Sequence, residues 1–273
     1  MRILFLFLFL LNFSENMNAQ DYELFWNEEF DYSAKPDPDK WSFEEGFIRN
    51  LEEQYYTSRR KNVRIKNGKL EIIARRESFK NRNFKLDSTN YRLNKERAEY
   101  TSGSIETKGK FDFQYGRVEV KAKLPKGKGV WPAIWMLGVD FDELGWPATG
   151  EIDLMEHVGK VPGEIHGTVH FPSNHKNGYT SNGTTIILED PAKNFHVYAI
   201  DWNEERIQFL VDKKVYRTFT LNEAGLENNP FRKAFFIKLN LALGGNWAGK
   251  IDDKILPQKF IIDYIRVYKK AGL

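Results

Sequence analysis

The sequence predicts an all-β sandwich. Three observations predict it: a stretch of clean strand-period alternation, a two-residue hairpin signature, and many short apolar runs at close spacing with no sustained helical period. The alternation is clearest at 117–124, where Val118, Val120, Ala122 and Leu124 share one face and Arg117, Glu119, Lys121 and Lys123 the other. The hairpin is signalled by Asn67-Gly68, flanked by Val63-Arg64-Ile65-Lys66 and Leu70-Glu71-Ile72-Ile73. Further strands are expected at 195–201, 206–211, 215–219, 235–242 and 260–268, with one helical turn at 230–233. No repeat and no Pro/Gly/Ser linker interrupts the chain, so one domain is expected from 20 to 273.

Composition narrows the function classes. The 273 residues are 41% hydrophobic and 29% charged, an ordinary globular balance. The formal net charge of +3 comes without a long basic block, so nothing calls for nucleic acid or a membrane surface as partner, and the chain reads as a monomer. Aromatic residues are abundant, with 7 Trp, 12 Tyr and 21 Phe. They fit a β-rich core and equally fit stacking platforms for sugars. At the start, Arg2, an apolar run from Ile3 to Leu11 and a small residue at Ala19 read as a secretory signal over 1–19. That run is too short to span a bilayer. The expected location is secreted or periplasmic. With no cysteine there is no disulfide framework and no site for a cysteine-linked lipid.

One segment, 78–99, is polar and basic: Lys80, Arg82, Lys85, Arg92, Lys95 and Arg97 outnumber Asp87, Glu96 and Glu99. It reads either as a solvated surface loop or as a rim over a binding cleft.

The chemistry is concentrated in Gly150-Glu151-Ile152-Asp153-Leu154-Met155-Glu156-His157. In a regular strand Glu151 and Asp153 share a face, while Glu156 points the other way. One extra residue at Leu154-Met155, a β-bulge, restores the parity and brings all three carboxylates to one side. Crowded carboxyls push one another's pKa values apart, so that one stays protonated while another ionises. Glycoside hydrolysis uses such a pair, held about 5–5.5 Å apart in retaining enzymes. An acidic surface strand or a divalent-metal site is the plainer alternative, although Ile152 and Leu154 weigh against simple solvation.

Trp131, Trp135, Trp146 and Trp247 lie near this motif or near glycine-rich turns, and an indole matches the apolar face and hydroxyl edge of a pyranose. His166 and His170 share a strand face, but no cysteine and no third histidine at ligand spacing supports zinc. His170 is the better candidate to bind a sugar hydroxyl or tune an acid; His166 reads as structural.

With these motifs the sequence resembles glycoside hydrolase family 16, and within it the bacterial laminarinase-like group. The resemblance runs through Leu24-Phe25-Trp26-Asn27-Glu28-Glu29-Phe30, Gln54-Tyr55-Tyr56-Thr57, Lys108-Gly109-Lys110-Phe111, Tyr115-Gly116-Arg117-Val118-Glu119, His166-Gly167-Thr168-Val169-His170 and Asp263-Tyr264-Ile265-Arg266-Val267-Tyr268. It implies a β-jelly roll of two antiparallel sheets with an open cleft, and an endo-acting β-glucanase. By that resemblance Glu151 is the nucleophile, Glu156 the acid/base, and Asp153 orients the nucleophile. Asn50, Trp131, Trp135, Trp146 and Trp247 would line sugar subsites, with His170 near the acid/base. No cofactor is expected for catalysis. A structural Ca²⁺ is implied at Glu29, Gly68 and Asp263, with the oxygen ligands that ion prefers.

Two departures bear on substrate. Ser104 stands where relatives commonly carry an arginine on the glycone side, and the 78–99 segment is longer than usual. Three readings follow: an endo-β-1,3-glucanase, with mixed β-1,3/1,4-glucans as further substrates; a same-fold hydrolase of an agar or carrageenan galactan; or a glucan-binding protein without activity, which the retained acids disfavour.

Overall fold

The computed structural model describes residues 22–173 and 178–272; the expected signal segment 1–19 lies outside them. In chain order the first strands are β1 (Tyr22–Glu28), β2 (Ser42–Phe43), β3 (Gln54–Tyr56), β4 (Val63–Ile65), β5 (Leu70–Lys80) and β6 (Arg97–Ser102). Next come β7 (Ser104–Glu106), β8 (Gly116–Lys123), β9 (Val130–Gly138), β10 (Glu151–Glu156), β11 (Glu164–Pro172) and β12 (Tyr179–Ile187). The last are β13 (His196–Trp202), β14 (Arg206–Val211), β15 (Lys214–Thr220), β16 (Phe235–Leu243) and β17 (Gln258–Lys270).

They form two sheets. One runs β15-β14-β13-β8-β17-β5-β6-β3, with β1 beside β17 and β4 beside β5; the other runs β12-β11-β10-β9-β16-β7-β2. Pairing is antiparallel except between β3 and β6, as expected for a jelly-roll sandwich. The alternation at 117–124 is realised in β8: Val118, Val120 and Ala122 are fully buried, and the charged residues between them are half-buried on the other face. Opposite them, Ile134, Met136, Ile152, Leu154, Leu239 and Leu241 complete a core buried to 1% exposure or less. Each such side chain contributes about 1.5–3 kcal/mol.

The Asn67-Gly68 hairpin forms as expected. Both residues take positive φ, 53° and 66°, and Lys66 and Lys69 exchange backbone hydrogen bonds of 2.9 and 3.2 Å. The single turn near 230 is a 3-10 turn, Pro230–Arg232. The 78–99 segment is partly strand, since β5 extends to Lys80 and β6 begins at Arg97. β1, β2, β3, β6, β7, β9 and β12 go beyond the strands expected. All nine residues of β9 are buried, so it shows no alternation, and β12 is built largely of Thr, Ser, Asn and Gly.

Candidate active site

β10 lies between β9 and β11, and the predicted bulge is present. Against β9 the register runs Asp153↔Trp135 and then Met155↔Ile134, leaving Leu154 over; against β11 it passes from Asp153↔Thr168 to Glu156↔His166. Ile152, Leu154 and Met155 all enter the core, which returns Glu156 to the side of Glu151 and Asp153. Gly150 sets the entry to this strand: its φ is 76°, and a Cβ there would lie 2.7 Å from Pro230.

Glu151 and Glu156 line a cleft of about 890 Å³ across the outer face of the seven-stranded sheet. Asp153 lies beneath it, 1% exposed. Each glutamate accepts an indole N–H, Glu151 from Trp146 at 2.7 Å and Glu156 from Trp131 at 2.9 Å. The Glu151 and Asp153 carboxyls are close neighbours, with an oxygen of each within 4.8 Å of the other. Burial, reinforced by the Asp153 charge, pushes Glu151 up to about 8. Burial and the Glu151 charge push Glu156 up to about 7, and burial with the Glu156 charge raises Asp153 well above the usual carboxylate range. Three carboxyls in contact release their protons as a group. At neutral pH the cluster therefore holds protons that isolated carboxyls would have lost.

The structure brings every predicted sugar-contact residue to this cleft. Asn50, Trp131, Trp135, Trp146, His170 and Trp247 all line it. Trp135 donates to Asn240 Oδ1 at 2.7 Å, Trp131 meets Trp247 edge-on at 5.2 Å, and Trp146 tilts against Tyr179 at 4.6 Å. Trp247 follows Gly244-Gly245, both at positive φ, where added Cβ atoms would lie 2.6 Å from Glu53 and 2.8 Å from the Asn50 carbonyl. Only glycine lets that turn approach the 50–53 segment so closely.

The strand register refines the reading of the two histidines. His170 pairs across from Glu151 and is also near enough to Glu156 to lower that carboxyl; its Nε2 lies 3.0 Å from Asp153 Oδ2 and its Nδ1 2.7 Å from Ser181 Oγ. His166, expected to be structural, stands across from Glu156, lines the cleft and packs on Trp247 at 4.8 Å. The strand period placed both on one face, but the register with β10 decides which acid each one meets. Glu151, Asp153 and His170 also bring one ligand atom each to within 4.8 Å of one another.

Sequence reasoning missed a charged arm of the cleft beyond Trp135. Glu44 binds Arg49, accepts the Ser104 hydroxyl at 2.6 Å and pairs with Lys238 at 3.0 Å; Lys238 also binds Glu106. Burial alone would raise Glu44, but the Arg49 and Lys238 charges overcome it and hold the carboxyl at about 2. Arg49 lies over the Trp135 ring at 5.0 Å and Lys238 at 5.1 Å. A guanidinium is thus supplied next to Ser104 by another segment. A signal was present: Lys238 and Asn240 interrupt the buried run Phe235–Leu243 two positions apart, on one strand face.

Two of the three residues implied for calcium, Glu29 and Asp263, do not fit it. Asp263 lies between the Lys69 and Lys121 ammoniums at 3.0 and 2.9 Å, and Glu29 is held in a two-point pair by Arg266 at 2.8 and 2.9 Å. Burial acts to raise Asp263, but the two lysines bring it below its ordinary range; the Arg266 hydrogen bond lowers Glu29. These carboxylates already have cationic partners, and a second cation there would be repelled.

The model of glycosyl hydrolases family 16 matches residues 50–266. A beta-glucanase of Rhodothermus marinus is 41% identical over 264 residues, covering 92% of this chain and 86% of that protein. The glucan endo-1,3-beta-glucosidase A1 of Niallia circulans is 37% identical over 90% of this chain, which spans 38% of that longer protein. Among solved structures, the laminarinase catalytic domain of Thermotoga maritima superposes with a TM-score of 0.80 at 40% identity, covering 92% of this chain and all of that one. A structure from work on endo-acting O-glycanases of human gut bacteria that initiate mucin breakdown superposes with a TM-score of 0.87 at 38% identity, over 93% of each chain. The bulged three-acid strand and these matches agree: the chain belongs to glycosyl hydrolases family 16.

Proposed function

We propose that this protein is an exported, monomeric endo-acting β-glucanase that cleaves internal β-1,3 bonds of laminarin-like polysaccharides with retention, and mixed β-1,3/1,4-glucans besides. The observation that carries the reading is the bulge that turns Glu151, Asp153 and Glu156 to one side beneath a tryptophan-lined cleft. Glu156, held protonated by burial, gives its proton to the glycosidic oxygen as the C–O bond breaks. The Glu151 carboxylate, formed when the coupled cluster gives up one proton to solvent, makes the bond to the anomeric carbon. Water then attacks that carbon while Glu156, now ionised, takes its proton, and the Glu151 ester is released. Asp153, held well above the usual carboxylate range by burial, keeps its own proton beside Glu151, so the negative charge of the pair rests on the nucleophile. His170 beside Asp153 and the Trp146 indole fix the orientation of that pair.

A second reading is favoured by one observation. The superposition on the structure from the O-glycanase work, at 0.87, exceeds that on the laminarinase domain, at 0.80. It makes the glycan chains of mucin the alternative polymer for the same two-step chemistry. The test is reducing-end release from laminarin, lichenan, agarose and mucin side by side, with Glu151→Gln as control. Strong release from laminarin that vanishes in the control supports the glucanase. Release from mucin alone replaces it with the second reading, and no release from any of the four refutes both.

A further inference from the structure

The basic segment 78–99 folds as a wall of the cleft. Asn81, 1% exposed, fastens it: its Nδ2 donates to the carbonyls of Arg92 at 3.0 Å and Lys95 at 2.9 Å, and its Oδ1 accepts from the Asn83 amide at 2.9 Å. The Lys85 amide reaches the Leu93 carbonyl at 2.9 Å and closes the loop on itself. Tyr91 packs against the cluster of Phe47, Tyr55 and Ala98, and with Arg92 it lines the cleft beside Arg49 and Asn50. Outward from the acids the order is Asp153, then Trp135 paired across from it, then Arg49 over that indole, then Tyr91 and Arg92.

Charge distinguishes this wall from the rest of the molecule. The segment holds six basic and three acidic residues, an excess equal to the +3 formal net charge of the whole chain. Everything outside it balances to zero. Within the cleft arm, Glu44 and Glu106 neutralise Arg49 and Lys238. Arg92 is exposed, its side chain lies against the neighbouring Tyr91 ring at 5.9 Å, and no carboxylate pairs with it among the described residues. A planar, uncompensated guanidinium beside an aromatic ring suits a sugar that carries anionic oxygens, because the fork of N–H groups binds two such oxygens at once.

We propose that Tyr91 and Arg92 form a distal subsite that takes a saccharide unit bearing a sulfate ester or a carboxylate, away from the bond that is cut. The proposal rests on the reading of the cleft as a polysaccharide site, but not on which polymer is cleaved. The test is affinity electrophoresis of the Glu151→Gln protein, which binds without turnover, in gels carrying laminarin, sparsely sulfated laminarin or sparsely carboxymethylated laminarin. The expected result is tighter binding to an anionic polymer at low salt, a preference that shrinks as salt rises. Arg92→Ala added to this background should weaken anionic binding about tenfold and neutral laminarin binding far less, while Arg92→Lys keeps most of the preference. Whichever derivative shows the loss identifies the anion. Equal loss on neutral and anionic polymers, or no loss on either derivative, overturns the proposal. Wild-type turnover, measured separately, reports on the proposed function alone.

Discussion

Replacing Glu156 with glutamine is expected to make the protein more stable at neutral pH while abolishing its turnover. Burial and the Glu151 charge raise the Glu156 carboxyl from 4.5 to about 7. The raised value means that the folded state holds the proton more tightly than the unfolded chain does. Below about pH 4.5 the group is protonated in both states and contributes nothing. Between about 4.5 and 7 the unfolded chain ionises first, so stability falls as pH rises, and above about 7 the full penalty is present. At ~1.4 kcal/mol per pKa unit the ceiling is on the order of 3 kcal/mol. Glutamine has nearly the same shape, carries no charge and still accepts the Trp131 N–H through its amide oxygen. For a domain near this size, ~2–4 °C accompanies each kcal/mol, so roughly 6–12 °C bounds the gain in melting temperature at pH 8. The assay is thermal or urea unfolding of wild type and Glu156→Gln at pH 4 and pH 8. The difference should be large at pH 8 and near zero at pH 4. Equal stability of the two proteins at pH 8, or a gain of the same size at both pH values, would refute the electrostatic account of this cluster.

Three further outcomes are expected. Glu151→Gln should lower kcat by at least about 10⁴-fold while polymer binding survives; near-normal turnover would remove Glu151 from the nucleophile role. The wild-type rate should peak between about pH 7 and 8 and decline above it, because Glu151 must have lost its proton while Glu156 still carries one, and a rate that stays level to pH 9 would show that another group supplies the proton. Exhaustive chelation should leave the melting temperature unchanged, since Lys69, Lys121 and Arg266 already balance Asp263 and Glu29; a drop of several degrees, restored by calcium, would count against that balance.

The parts of the fold that could be read in the sequence are those where a local rule acts alone. β8 alternates because one face meets the core and the other does not, and the Asn67-Gly68 turn is fixed by its own two dihedrals. β9 gave no such signal, since both of its faces are covered, one by the core and the other by the walls of the cleft. The acid strand was legible for a different reason. Three carboxylates within an otherwise apolar run conflict with burial, and the parity mismatch between Asp153 and Glu156 could be resolved only by one extra residue. Lys238 and Asn240 posed the same conflict in β16, and the same argument applied there would have found the charged arm.

What remained hidden depends on contacts between distant segments. Strand period puts His166 and His170 on one face, yet only the register of β10 against β11 shows that His166 meets Glu156 and His170 meets Glu151. The calcium expectation met the same difficulty: an aspartate and a glutamate look like cation ligands until Lys69 and Lys121 come beside Asp263 where β17 pairs with β5 and β8, and Arg266 beside Glu29 where it pairs with β1. The loop between β5 and β6 is the extreme case. Its basic residues could be counted in the sequence, but a surplus of charge has no functional meaning until its position is known. Asn81 and the Phe47–Tyr55 cluster hold that loop against the cleft, and this placement is what gives the proposed anionic subsite its position. On the proposed reading, substrate choice rests on the part of the chain with the weakest local pattern, whereas the chemistry rests on the part with the strongest.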